Sequence, residues 1–291
     1  FDYESGGQQG GSIVPPQLAF MPDYIDAKLI GCSRVQLSED KPIALINDND
    51  GKSFDFFAAY PNRVVVKEPE LYRDDPPSAG GDLVDTGSIG AVFKTEVLSM
   101  IFDNLPSGIG INGALDVSNQ SSALSALVSF GEFFRLAIAT DLDIDPTELR
   151  FGYQKYTTAK DISTHQLFFA DSLENGAGYV RSVFDKDRIQ EVVRNHYEVV
   201  TGQLNPKAWI SLENGHLSCD RSCPDCLRNY SNRQFHHLLD WRLALDLVEL
   251  FIGEKLDINR GLHKVVERAR LFLDGAQKQN TKCMHLIMSR E

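Results

Sequence analysis

The sequence is short of positive charge. Among 291 residues, 29 Lys and Arg stand against 41 Asp and Glu, a formal charge of −12, whereas nucleic-acid binders usually show the opposite balance. Contact with DNA is therefore expected only through a local basic patch or a partner subunit. Long hydrophobic runs are missing too. No stretch approaches the roughly 18 consecutive apolar residues of a membrane-spanning helix, so a soluble chain without a membrane partner is expected. Cysteine is sparse and unevenly placed: Cys32, Cys219, Cys223, Cys226 and Cys283 are an odd number, with three of them inside eight positions. That excludes a disulfide framework and points to a metal clip in a reducing cytoplasm. The sequence contains no Gly-x-x-x-x-Gly-Lys-Ser/Thr loop and no acidic helicase box, so no motif for ATP hydrolysis is present.

What is present is globular composition, 42% hydrophobic and 24% charged, sufficient for one large or two modest domains. Residues 1–16, with a Gly/Gln/Ser tract at 5–12, read as a flexible linker. A chain that opens on Phe1 without a signal segment is expected to be a piece of a longer protein. Residues 17–80 read as a β-rich segment, in which 42–46 and 54–60 flank the turn-forming Asn47-Asp-Asn-Asp-Gly-Lys52 and predict a hairpin. That turn is no calcium loop: with Gly51 in sixth position, Ile46 and Phe57 fall where oxygen ligands are needed. The Pro and Gly pairs at 73–81 mark the expected internal boundary.

Residues 81–291 read as a second domain. A strand is expected over 89–102, and Ser121 or Ser122 is placed to cap a helix whose stripe runs from Leu124 to Ile138. Asp143 to Pro146 stop it. A strand at 164–170, a helix over 179–200 and C-terminal helices at 238–252 and 260–273 follow. Strands and helices mix without regular βαβ alternation, which makes the class α+β.

The most specific chemistry lies in Cys219-Asp-Arg-Ser-Cys223-Pro-Asp-Cys226. A Cys-x-x-Cys turn lets two thiolates grip one zinc ion, and a third upstream supplies most of a tetrahedron. The fourth ligand is sought among His236, His237, His216, Cys32 and Cys283; His236, ten residues after Cys226, is a workable return distance. The competing reading is a thioredoxin-type redox pair, which has no use for a third cysteine. For His236 it is a histidine packing at the start of the next helix. A zinc knuckle of three cysteines and one histidine has no open position for substrate, so the zinc is expected to be structural.

Three further features invite chemistry. Leu83-Val-Asp-Thr-Gly-Ser88 matches the loop of aspartic proteases, with Asp85 as the shared-proton aspartate, but that chemistry needs two such loops and the sequence holds one. The plainer reading is a turn. Gly176-Ala-Gly178 could expose amides to a phosphate, yet Asp171 and Glu174 beside it repel one, and tight strand-to-helix packing is expected instead. Around the cysteines, Arg221, Arg228, Arg233 and Arg242 interleave with Tyr230 and Phe235. Arg228 and Arg233 are the candidate DNA-backbone contacts; the alternative is a solvated rim paired with Asp220, Asp225 and Asp240.

The run Ser222-Cys-Pro-Asp-Cys-Leu-Arg-Asn-Tyr-Ser-Asn-Arg-Gln-Phe-His-His-Leu-Leu-Asp-Trp241 resembles the metal-binding core of the MrfA-type zinc-binding (MZB) domain family of helicase-associated proteins. Phe93-Lys-Thr-Glu-Val-Leu98 resembles that family's early strand, and Asp171-Ser-Leu-Glu-Asn-Gly-Ala-Gly-Tyr179 its glycine turn. The His-Leu-Leu-Asp-Trp version is most similar to the DrmB-type subunits of DISARM anti-phage systems, which partner a DrmA-like helicase. Family helicases often carry a fourth cysteine where this chain has Asn232, and His236 is the expected substitute. The resemblance implies an MZB-like zinc-binding domain over 81–291, a non-catalytic accessory role beside a helicase, and DNA contact through the complex. The alternatives are an aspartic protease or a metal-binding scaffold without a nucleic-acid role.

Overall fold

Alternation of apolar and polar residues makes the two longest strands, and their pairing organises the protein. The computed structural model describes residues 17–19, 27–47, 53–59, 63–67, 82–118, 122–173, 176–202, 209, 219–257 and 260. In chain order the strands are β1 (Gln17–Ala19), β2 (Lys28–Ile30), β3 (Ser33–Asn47), β4 (Phe54–Ala59), β5 (Arg63–Lys67), β6 (Leu83–Gly87), β7 (Ile89–Ile101), β8 (Leu149–Thr157) and β9 (Ser163–Asp171). The helices are α1 (Ala123–Leu142), α2 (Tyr179–Ser182), α3 (Lys186–Thr201) and α4 (Trp241–Ile252). The class is α+β.

All strand pairs are antiparallel, in the order β1-β3-β7-β9-β8 with β2 also on β3, beside a smaller sheet ordered β5-β4-β6. The hairpin expected between 42–46 and 54–60 does not form. The first run is the end of β3, which pairs with β7 from Arg34↔Ile101 to Asn47↔Ile89, while the second is β4, which pairs with β5 and β6. Fifteen residues of β3 offer a longer ladder to β7 than a local turn could supply. The larger sheet thus joins strands from both sides of the boundary expected at 73–81, and 73–81 itself lies outside the described residues, as do the linker 1–16 and the helix expected beyond Arg260.

One face of this sheet carries the main core. Val35, Leu98, Met100, Leu149, Phe151, Leu167 and Phe169 point to α1, α3 and α4. Aromatic side chains supply much of the contact: Phe102–Phe130 and Phe134–Phe169 meet edge-on at 4.9 Å, and Phe251 of α4 packs on Phe130 at 5.5 Å. Each such pair adds about 0.5–1.5 kcal/mol beyond its buried area. The opposite face holds a smaller cluster of Ile43, Val97, Phe168 and Ala170.

By length and composition α1 could cross a membrane, but 78% of its apolar window is buried inside this fold, as a core helix requires. It also carries the buried Glu132–Arg135 pair at 2.8 Å, whose guanidinium further donates to the Pro146 carbonyl at 2.6 Å. Ser122 stands at its N-cap without a side-chain cap bond, unlike the expected serine cap. The single helix expected over 179–200 is two, because Asp185 caps a fresh start by accepting from the Asp187 N–H at 3.0 Å. At the far end, Gly31 approaches α4 so closely that a Cβ there would stand 2.0 Å from the Phe251 carbonyl oxygen.

Candidate metal centre

Cys219, Cys223 and Cys226 sit on loops, held from outside by the first turn of α4. The Trp241 N–H donates to the Arg221 carbonyl at 2.9 Å; Arg242 donates to the carbonyls of Asp220 at 2.8 Å and Cys219 at 3.1 Å. Arg242 is thereby buried, with its guanidinium over the Trp241 ring at 4.5 Å. From inside, Leu227 is fully buried and Cys226 joins it in the main core. Pro224 opens the turn. The Cys223 carbonyl then accepts from the N–H groups of Cys226 at 3.1 Å and Arg228 at 3.0 Å, which closes the loop.

The three sulfurs lie within 4.8 Å of one another. Zinc at about 2.3 Å from each thiolate needs sulfurs roughly 3.8 Å apart, so a small contraction suffices. The Cys223 N–H points at the Cys226 sulfur at 3.1 Å, the amide-to-sulfur bond that stabilises a thiolate ligand. Burial pushes the Cys219 thiol up to about 11, with the neighbouring Cys223 adding to it, and burial likewise raises Cys226. Sulfurs in that setting stay protonated unless a cation compensates their charge. Donor set and spacing both fit zinc.

Among the described residues no fourth His, Cys, Asp or Glu atom joins the three sulfurs within that distance. His236 is placed elsewhere. Its Nε2 lies 3.0 Å from the Asn229 carbonyl and 3.0 Å from Oδ1 of Asn232, two acceptors that require the proton on that nitrogen. The side chain braces the turn after the cysteines. His237 is exposed, and Cys32 is buried in the main core with its thiol pushed up to about 12 by burial. His216 and Cys283 lie outside the described residues.

Residues 130–227, which hold all three cysteines, match the sequence model of the MrfA Zn-binding domain. This stretch is similar to the MZB family over about a third of the chain. The three-cysteine cluster inside it is consistent with a bound zinc ion. Over 169 residues, 55% of the chain, the sequence is 31% identical to Druantia protein DruE of Escherichia coli (strain UMEA 4076-1), and it spans 8% of that relative's length. The crystal structure of DUF1998 helicase MrfA bound to DNA is similar over 80% of this chain and 24% of that one, with a TM-score of 0.44 and 12% identity.

Sequence reasoning missed a second convergence within the fold. The carboxylate of Asp171, fully buried at the end of β9, accepts three N–H bonds from the start of α2: Gly178 at 2.6 Å, Tyr179 at 3.1 Å and Val180 at 3.2 Å. The amides that a phosphate would need are filled by the chain's own anion. Arg181 of α2 then pairs with Glu96 of β7 and, at 3.0 Å, with Glu39 of β3. The block around Glu96 and the glycine turn, 75 or more residues apart in sequence, are thus one fastening between sheet and helix. The signal was the isolated Asp before a glycine-rich turn, a residue type suited to hold helix-start amides.

The knuckle arginines divide by role. Arg242 and Arg221 hold backbone, the latter through the His237 carbonyl at 2.9 Å, with Asp240 at 3.7 Å. Arg228 donates to Ser222 Oγ at 2.9 Å. Arg233 is exposed and lies against Tyr230. Phe235, expected to interleave with them, instead packs on Phe151 and Tyr153 of β8. Asp85 is an exposed β6 residue, not part of a turn, and its Oδ1 accepts the Thr86 N–H at 2.8 Å.

Proposed function

We propose that this chain is a zinc-stabilised, non-catalytic accessory module that works beside a DNA helicase, in the manner of a DrmB-type subunit with a DrmA-like partner in cytoplasmic anti-phage defence. The observation that carries the reading is the Cys219, Cys223 and Cys226 cluster assembled inside the MZB match. Zinc held by three thiolates in a core-anchored loop would stabilise the fold, and the non-catalytic reading rests on the missing ATP-hydrolysis motifs. The charge of −12 repels a polyanion at long range, so the partner provides the main electropositive track. Arg228 and Arg233 act within the Debye length of about 8 Å once a strand is held.

The test is co-purification with a candidate partner helicase, followed by DNA titration at several salt concentrations. A stable complex that binds DNA more tightly than the chain alone is expected, with the Arg228→Ala/Arg233→Ala complex losing about two units of salt slope if each neutralises one phosphate. Tight DNA binding by the chain alone, or no complex, contradicts the reading. The protease alternative is disfavoured by Asp85 itself: the motif occurs once, on an exposed strand, where a shared proton needs a second aspartate held close.

A further inference from the structure

Tyr230 is 83% exposed, the most exposed large side chain of its kind among the described residues. It stands on a turn that is anything but loose. Asn229 and Asn232 cap each other, the Asn229 N–H donating to Asn232 Oδ1 at 2.9 Å and the Asn232 N–H to Asn229 Oδ1 at 3.1 Å. Asn232, 2% exposed, also donates from Nδ2 to the Leu227 carbonyl at 2.8 Å, next to the metal ligand Cys226. Phe235 pins the other end of the same 3-10 turn, Tyr230–Phe235, to β8.

The ring is oriented as well as displayed. The Arg233 guanidinium lies 5.0 Å from the ring centroid and donates from Nη1 to the Tyr230 hydroxyl at 3.0 Å. Among the described contacts the Arg233 side chain meets this tyrosine, whereas the side chains of Arg221, Arg228 and Arg242 are tied to backbone or serine. A rigid, exposed aromatic ring with a guanidinium over it suits the repeat of a single-stranded nucleic acid, one flat base and one phosphate per nucleotide.

We infer that Tyr230 is a stacking platform for an unpaired nucleobase, with Arg233 fixing the ring and reaching the adjoining phosphate. This rests on the DNA role proposed above. The stack carries little charge dependence and the guanidinium carries most of it, so the two contributions separate under salt.

The experiment uses the zinc-loaded chain at low salt with a fluorescently labelled oligothymidylate carrying one 2-aminopurine. Anisotropy reads binding, and quenching of the 2-aminopurine reads stacking. Tyr230→Ala should bind roughly five- to hundredfold more weakly, lose the quench and keep its salt slope, while Tyr230→Trp should retain both. Arg233→Ala should lower the slope by about one. Unchanged affinity and quench in Tyr230→Ala, beside normal anisotropy, overturns the platform alone. No binding by the wild type at low salt overturns the platform, while the DNA role of the complex stands or falls on the co-purification and titration above. Loss of helicase capture by Tyr230→Ala, with oligonucleotide binding intact, reassigns the surface to a protein partner.

Discussion

Arg242, in the first turn of α4, donates to the carbonyl oxygen of Cys219, so a core helix and the three-cysteine cluster share one hydrogen bond. Through that bond and the neighbouring one to Asp220, the state of the zinc loop is felt by the aromatic core behind it. The purified protein should contain one zinc per chain by elemental analysis, and chelation should lower its Tm by on the order of 10 °C. Cys223→Ser should give protein that is insoluble or melts similarly early. Folded, soluble wild type without zinc would refute the metal site.

His236→Ala should keep one zinc per chain while costing about 1–3 kcal/mol of stability, because the lost Nε2–H bonds brace the Asn229 to Asn232 turn instead of holding the ion. Zinc content falling to half or less in folded His236→Ala protein would make the imidazole a ligand after all.

Gly131→Ala should destabilise the protein by about 1–3 kcal/mol in urea, against the helix preference for alanine of about 1 kcal/mol. The reason is contact: a Cβ at Gly131 would stand 2.1 Å from the Phe151 ring, which is itself packed against Phe169 and Phe235. A neutral or stabilising result would mean that α1 sits further from β8 than described.

Stability should fall with acid through His196. Burial lowers its pKa to about 4, and its ring packs edge-on against Phe133 at 4.9 Å. A base with a depressed folded pKa binds protons more readily when unfolded, so its favourable contribution is complete above about 6.5 and is lost as pH falls toward 4. Between pH 7 and pH 5 the loss should be about 2 kcal/mol. His196→Phe should flatten that part of the profile in thermal melts; an unaltered profile would place the acid sensitivity elsewhere.

Local spacing made the metal cluster legible, since three cysteines in eight positions can meet without help from the rest of the fold. The strand 89–101 and the stripe of α1 were likewise readable from period alone. What escaped depended on distant partners. β8 went unnoticed because Leu149 to Thr157 alternates weakly and is fixed by its ladder to β9. The sequence of β6 reads as a turn through its Asp-Thr-Gly and becomes a strand only by pairing with β4. His236 has the right reach for a ligand, and only the structure shows its Nε2 donating within the capped asparagine turn and its ring outside the cluster of three sulfurs.

The approach of Gly31 to the Phe251 carbonyl has a consequence for synthesis. The turn between β2 and β3 is translated early, and the helix end it rests on is made some 220 residues later. At roughly 5–20 residues per second, the early strands emerge from the ribosome at least about ten seconds before α4 can cover their apolar face. Until α4 is made, Phe102 lacks its contact with Phe251 even after α1 has met it through Phe130, and a holdase that shields extended apolar strands should raise the yield of soluble protein more than one acting after release.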